Sequence, residues 1–250
     1  MTAQEEKDRK LQVAAAAGDI AACKLLLDQG ANIHNRSDDP LRGATKNGHT
    51  ETCKFLLENG ADLHAGNDDA LHWSVLKGHT ETCALLLKHG ADPHTENGVS
   101  LHWAAQGGHL EICKLLLEHG ADVHTDSDLA LKWASEHGHA EVCKLLIQYG
   151  ANVNTNNDNS LELAARNGHI EVCKILLENK AKIQPDNNPL RWAERNLHIE
   201  TCKLLLRHYK SFSEILKDPD TPKLLKTLIQ QEKTHRAINR VKKTQQPFEI

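Results

Sequence analysis

The residues able to do chemistry are set on a regular ruler. Seven cysteines, Cys23, Cys53, Cys83, Cys113, Cys143, Cys173 and Cys202, stand 30 residues apart, with the last pair 29 apart. Thiolates gathered at close range could hold zinc, pair as disulfides or respond to oxidants. His49, His79, His109, His139, His169 and His198 keep nearly the same step. His34, His64, His94 and His124 form a second column, which Asn154 continues. Imidazole ligates metals and exchanges protons near neutral pH. No P-loop, HExxH, GxSxG or dinucleotide fingerprint accompanies these columns.

A ladder with one cysteine per rung is poorly suited to any of that chemistry. If each rung is a helical repeat, equivalent positions are one packing distance apart, roughly 8–10 Å. A disulfide needs Cα atoms within about 7 Å, and a zinc site needs several ligands at bonding distance together. Cys113 has Leu116 and Leu117 at i+3 and i+4, so all three share a helix face. A buried, structural thiol is the favoured reading. No metal, catalytic residue or cofactor is expected. A thiol- or histidine-based redox or metal-responsive regulator is the alternative, and mixed sites including His119 or His137 stay open.

The elements behind the ruler are internal repeats. Residues 68–97 read DDALHWSVLKGHTETCALLLKHGADPHTEN, and residues 98–127 read GVSLHWAAQGGHLEICKLLLEHGADVHTDS. Copies fall at about 8–37, 38–67, 68–97, 98–127, 128–157, 158–187 and 188–212. Each reads as two short helices, the first over about Leu101–Gln106 in the fourth copy and the second over about Leu110–Glu118. Asp39 is placed as an N-cap with Pro40 at the first helical position. Glycines such as Gly48 and Gly60 end the helices. Helices this short need stacked neighbours.

These units resemble ankyrin repeats. LHWAAQGGHLEICKLLLEHGADVH, residues 101–124, follows that family's Leu-His-x-Ala-Ala helix, Gly-His turn, Glu-Val-Val-x-x-Leu-Leu helix and Gly-Ala-Asp-Val-Asn exit. The resemblance covers about residues 8–212. It implies an all-α solenoid, an elongated curved rod, and a non-enzymatic scaffold or adaptor for protein partners. The repeat has 30 residues rather than the usual ~33. The three missing residues fall where the family places its hairpin finger, so a shortened finger or loop is expected. The His after the first Leu survives as His72 and His102 and is Arg42, Lys132, Glu162 or Arg191 elsewhere. Lys180 and Leu197 stand where glycines belong, so the last copies should be less regular. Short repeats of this kind resemble those of intracellular bacteria and large viruses. That resemblance implies a host-directed effector in the cytosol, the cell's own or a host's.

Trp73, Trp103, Trp133 and Trp192 share one first-helix position, where other copies carry Val13, Gly43 and Leu163. By the resemblance, the residues at i+3 and i+4 from that position face the concave groove and vary with the partner. The partner-binding set is Lys46, Trp73, Leu76, Lys77, Trp103, Gln106, Trp133, Glu136, His137, Arg166 and Arg195. The bland alternative buries the indoles between repeats, though a half-buried ring can serve both purposes.

Composition narrows the partners. The 250 residues carry a net charge of −4, which argues against broad nucleic-acid binding. No apolar run approaches a membrane span, and no secretory leader begins the chain. A monomeric cytoplasmic protein follows, residues 1–212 forming the repeat domain. Residues 213–243 read as a capping region, with Thr221 as N-cap, Pro222 at the first helical position, and Leu224, Leu225, Leu228 and Ile229 on one face. Residues 244–250 read as a disordered tail, in which Phe248 weakly resembles part of a bacterial secretion signal.

Overall fold

The computed structural model describes residues 2–36, 39–155, 160–183, 189–209, 212–217 and 221–244. It is all-helical: no strand occurs among the described residues. Seven helical pairs follow one another. They are α1 (Ala3–Ala17) with α2 (Ile20–Asp28), α3 (Asp39–Lys46) with α4 (Thr50–Glu58), α5 (Ala65–Leu76) with α6 (Thr80–Lys88), α7 (Thr95–Gln106) with α8 (Leu110–Glu118), α9 (Thr125–His137) with α10 (Ala140–Gln148), α11 (Ser160–Arg166) with α12 (Ile170–Glu178), and α13 (Pro189–Arg195) with α14 (Ile199–His208). The short α15 (Ser213–Lys217) and the long α16 (Lys223–Thr244) complete the chain. It divides into two compact units, Met1–Ala134 with Lys144–Asn152, and Ser135–Cys143 with Val153–Ile250.

The core comes from one leucine per first helix. Leu11, Leu41, Leu71, Leu101, Leu131, Leu161 and Leu190 are all essentially inaccessible. Each such leucine contributes about 1.5–3 kcal/mol through burial. Ala44, Ala104 and Ala164 let adjacent first helices approach, and Leu56, Leu86, Leu116, Leu146, Leu176 and Leu205 bring in the second helices.

Where the described residues include the whole finger, it is reduced to a turn. Asp126, Ser127 and Asp128 all take left-handed backbone, with φ of 48°, 58° and 62°. The right-handed part of α9 therefore starts only after Asp128, and Gly66, Asp68 and Gly98 mark the same turn in earlier copies. The buried Asp128 carboxylate ties it down, accepting from His124 Nδ1 at 3.0 Å and the Asn152 amide at 3.1 Å. In the first copy Asp8, inside α1, accepts from the Asn32 amide at 2.8 Å.

Three boundaries differ from expectation. Asp39 is the first residue of α3 rather than its cap. The Thr221 hydroxyl donates to the Ile215 carbonyl, and α16 begins at Lys223, with the Pro222 carbonyl accepting from the Lys226 amide at 3.1 Å. Thr244 is helical, so the helix reaches one residue into the stretch expected to be disordered. Residues 245–250, Phe248 among them, lie outside the described residues.

At the C-terminus α16 covers α14, burying Leu225, Leu228 and Ile229, while Leu224 is half-buried. Arg236 is its polar anchor. It donates to the Leu206 carbonyl at 2.6 Å and the Tyr209 carbonyl at 3.0 Å, satisfying the end of α14. It also pairs with Glu232 at 3.0 Å and lies 4.5 Å from the Phe212 ring centre.

Candidate functional site

The cysteine ladder is core. All seven cysteines are free, with no accessible surface. Burial pushes the Cys53, Cys83, Cys113, Cys173 and Cys202 thiols up to about 12, and the Cys23 and Cys143 thiols to about 11. Such thiols stay protonated at neutral pH and lack the thiolate that redox chemistry or metal ligation needs. Among the described residues, no group of three or more His, Cys, Asp or Glu side chains is placed to hold a metal ion.

The Gly-His column joins repeats. His49, His79 and His198 sit at the N-caps of α4, α6 and α14, yet none makes a side-chain cap bond. Their Nε2 atoms instead donate to carbonyls of the preceding repeat: His49 to Ala16, His79 to Lys46 and His198 to Arg166, each at 3.1 Å. His169 donates likewise to Glu136 at 3.0 Å. Asn47, Asn167 and Asn196 donate to the carbonyls of Ala16, Glu136 and Arg166 at 2.6–3.0 Å. These asparagines, at the variable i+4 position, therefore brace the frame. The second column is also structural. His64 and His124 donate to Asp68 and Asp128, and Asn154 bridges the Lys180 carbonyl and the Lys182 amide of the next copy.

The first-helix face remains. In the first unit Trp103 is 37 % exposed, and Trp73 and Trp133 are half-buried. Lys46 and Lys77 are exposed, and Leu76 and Gln106 half-buried. In the second unit Arg166, Arg195 and His137 are exposed, and Glu136 is half-buried. The indoles are thus neither sealed in the core nor free. Basic residues of this face cover two of them, Trp73 and Trp192.

The Lys46 ammonium lies 4.5 Å from the Trp73 ring centre, one repeat ahead. Arg166 lies 5.0 Å and Arg195 5.7 Å from the Trp192 ring centre. Such contacts are worth about 0.5–1 kcal/mol at exposed sites. They hold flexible cations in a fixed place over a platform. His72 packs edge-on to both Trp73 and Trp103, with ring centres 5.9 and 6.5 Å away.

Trp192 lies outside the expected partner-binding set, yet it carries two of the cations of this face. The signal was available, because Arg166 precedes it by almost one repeat. The Glu162 carboxylate accepts a hydrogen bond from the Trp192 side chain and fixes the ring's direction, while burial raises the Glu162 pKa.

Comparison with known proteins agrees with this architecture. Ankyrin repeats (three copies) match residues 11–97, 97–157 and 155–218. Among solved structures, the human ASB11 ankyrin repeat domain is similar, with a TM-score of 0.65 and 27 % identity over 73 % of this chain and 90 % of that one. No curated protein matches the chain. A chain matched by this family over most of its length, and built from helical pairs at a fixed step, belongs to the ankyrin-repeat family.

Proposed function

We propose that the protein is a non-enzymatic scaffold or adaptor that holds a protein partner on its first-helix face. The observation that carries this is the placement of Lys46 over Trp73 and of Arg166 and Arg195 over Trp192. Aromatic rings with positioned cations are the side chains that dominate interface energies. The frame around them is fixed by buried leucines, cysteines and inter-repeat hydrogen bonds, so it presents the face without itself changing. The face includes Leu76, Lys77, Trp103, Gln106, Trp133, Glu136 and His137.

Nothing on the second helices favours the thiol-based alternative, since the ladder is sealed and protonated. Seven free thiols fit a reducing compartment such as the cytosol. Among the described residues no helix is long and apolar enough to cross a membrane.

The test is affinity capture with the full chain, followed by titration of the captured protein against Trp73→Ala, Leu76→Ala, Trp103→Ala and Glu136→Ala. At least one tryptophan variant should weaken binding about tenfold or more. Unchanged affinity across the series would place the partner on another surface.

A further inference from the structure

We propose that Arg166, Trp192 and Arg195 form a carboxylate-binding rung for an acidic side chain of an extended peptide. This rests on the scaffold reading and names the chemistry of its partner.

Two guanidinium groups share one indole, at 5.0 and 5.7 Å from its centre. They extend from the last residues of α11 and α13. Two like charges brought to one ring repel each other. Glu162 offsets one of them, one turn before Arg166 on α11, while its carboxylate also takes the Trp192 side-chain hydrogen bond. Arg166 thus has a carboxylate on its own helix, and Arg195 closes no ion pair among the described residues.

Three cations of this unit pair with acidic residues: Lys174 with Glu171 at 3.8 Å, Lys203 with Glu200 at 2.7 Å and Arg236 with Glu232 at 3.0 Å. Among the described residues neither Arg166 nor Arg195 closes an ion pair. The helix C-terminus favours a cation there, but does not require two of them on one ring.

The charge pattern selects the occupant. The chain as a whole is acidic at −4, and Glu136 and Glu162 lie in the same unit. A nucleic-acid backbone needs a run of phosphate contacts, which two guanidinium groups on one ring do not supply. A single carboxylate matches the planar guanidinium fork in shape and charge. The indole then offers an apolar surface to the methylene stem of a glutamate.

The experiment uses the full chain with its four tryptophans labelled with nitrogen-15. The Trp192 indole N–H signal is assigned with Trp192→Phe. The probe is a short blocked peptide of alternating Glu and Ala, with Gln in place of Glu as control and single-stranded oligouridylate as competitor class. The Glu peptide should shift the Trp192 signal saturably and bind more weakly as salt rises. The Arg166→Gln/Arg195→Gln variant should lose about tenfold or more in affinity. Its other three indole signals report that the fold is intact, and Arg166→Lys/Arg195→Lys should recover part of the loss.

An unmoved Trp192 signal, an equal shift with the Gln peptide, or tighter binding of oligouridylate would overturn the proposal. So would equal binding by the double Gln variant. A captured partner that depends on Trp103 but ignores Arg166→Gln/Arg195→Gln would overturn the carboxylate rung and leave the scaffold reading standing.

Discussion

The imidazole of His198 lies flat over Gly168: a Cβ built on that glycine would meet Nδ1 at 2.6 Å, while Nε2 reaches the Arg166 carbonyl at 3.1 Å. The same arrangement puts His49 over Gly18 and His79 over Gly48. Glycine is therefore required twice at these positions, by φ of +74° to +76° and by the ring of the next repeat. The ends of the array show the rule by departing from it. In the first copy Asp19 stands at the histidine position and caps its own helix, accepting from the Ala22 amide at 2.9 Å. The last copy has no following histidine, and Leu197 replaces the glycine.

Gly168→Ala should cost about 2 kcal/mol or more, combining left-handed strain with displacement of His198. Gly60→Ala, with φ of +91° and nothing near its would-be Cβ, should carry only the strain, about 1 kcal/mol. In a His198→Ala background the extra penalty at Gly168 should vanish. Urea unfolding of the four proteins in this cycle measures it, and an unchanged penalty would show that the ring does not press on the glycine.

Leu197 holds φ of 61° with 71 % of its surface exposed. Leu197→Gly should therefore stabilise the protein by about 1 kcal/mol, read as a higher urea midpoint.

The buried thiols make stability fall in alkali. Their ordinary value is near 9, and burial holds Cys113 up to about 12 in the folded chain. Between those values the unfolded chain sheds protons that the folded chain keeps, so stability is lost as pH rises from about 9 towards 12. Cys113→Ala should flatten this slope and cost about 1 kcal/mol at pH 7. Thermal midpoints across that range are the measurement. A thiol-reactive dye should label the cysteines only as the protein opens.

His102 makes stability fall in mild acid. It is 5 % exposed, its Nε2 has no hydrogen-bond partner among the described residues, and burial lowers its pKa despite the nearby Asp126 carboxylate and the Thr125 backbone. The unfolded chain takes up the proton first, so this contribution is lost as pH drops below about 6.5 and through the lower folded value. His102→Leu should shrink the loss of thermal stability between neutral and mildly acidic pH. It should not weaken the protein at pH 7, because an orphaned polar atom is removed.

Much of this was legible in the sequence because repetition makes register visible. The span Leu110–Glu118 of α8 follows directly from Gly108, Gly120 and the apolar spacing between them. The cysteines read as core because Leu116 and Leu117 share their face. The left-handed turn at Asp126–Asp128 was not legible, since two aspartates and a serine give no glycine signal for positive φ. Neither were the partners of His198, Asn196 and Trp192. They lie in the preceding repeat, and a column read vertically does not reveal which carbonyl or cation its neighbour supplies. Asn47, Asn167 and Asn196 looked variable for partner choice and instead brace the frame.

The central claim is that the partner sits on the first helices. Site-specific photo-crosslinking tests it most directly, with a benzophenone side chain placed in turn at Lys46, Trp103, Gln106 and Arg195, and at Lys54, Lys114 and Lys174 on the second helices. Crosslinks to the captured partner are expected from the first set and none from the second. Crosslinks from the second-helix positions, with the first-helix positions silent, would contradict it.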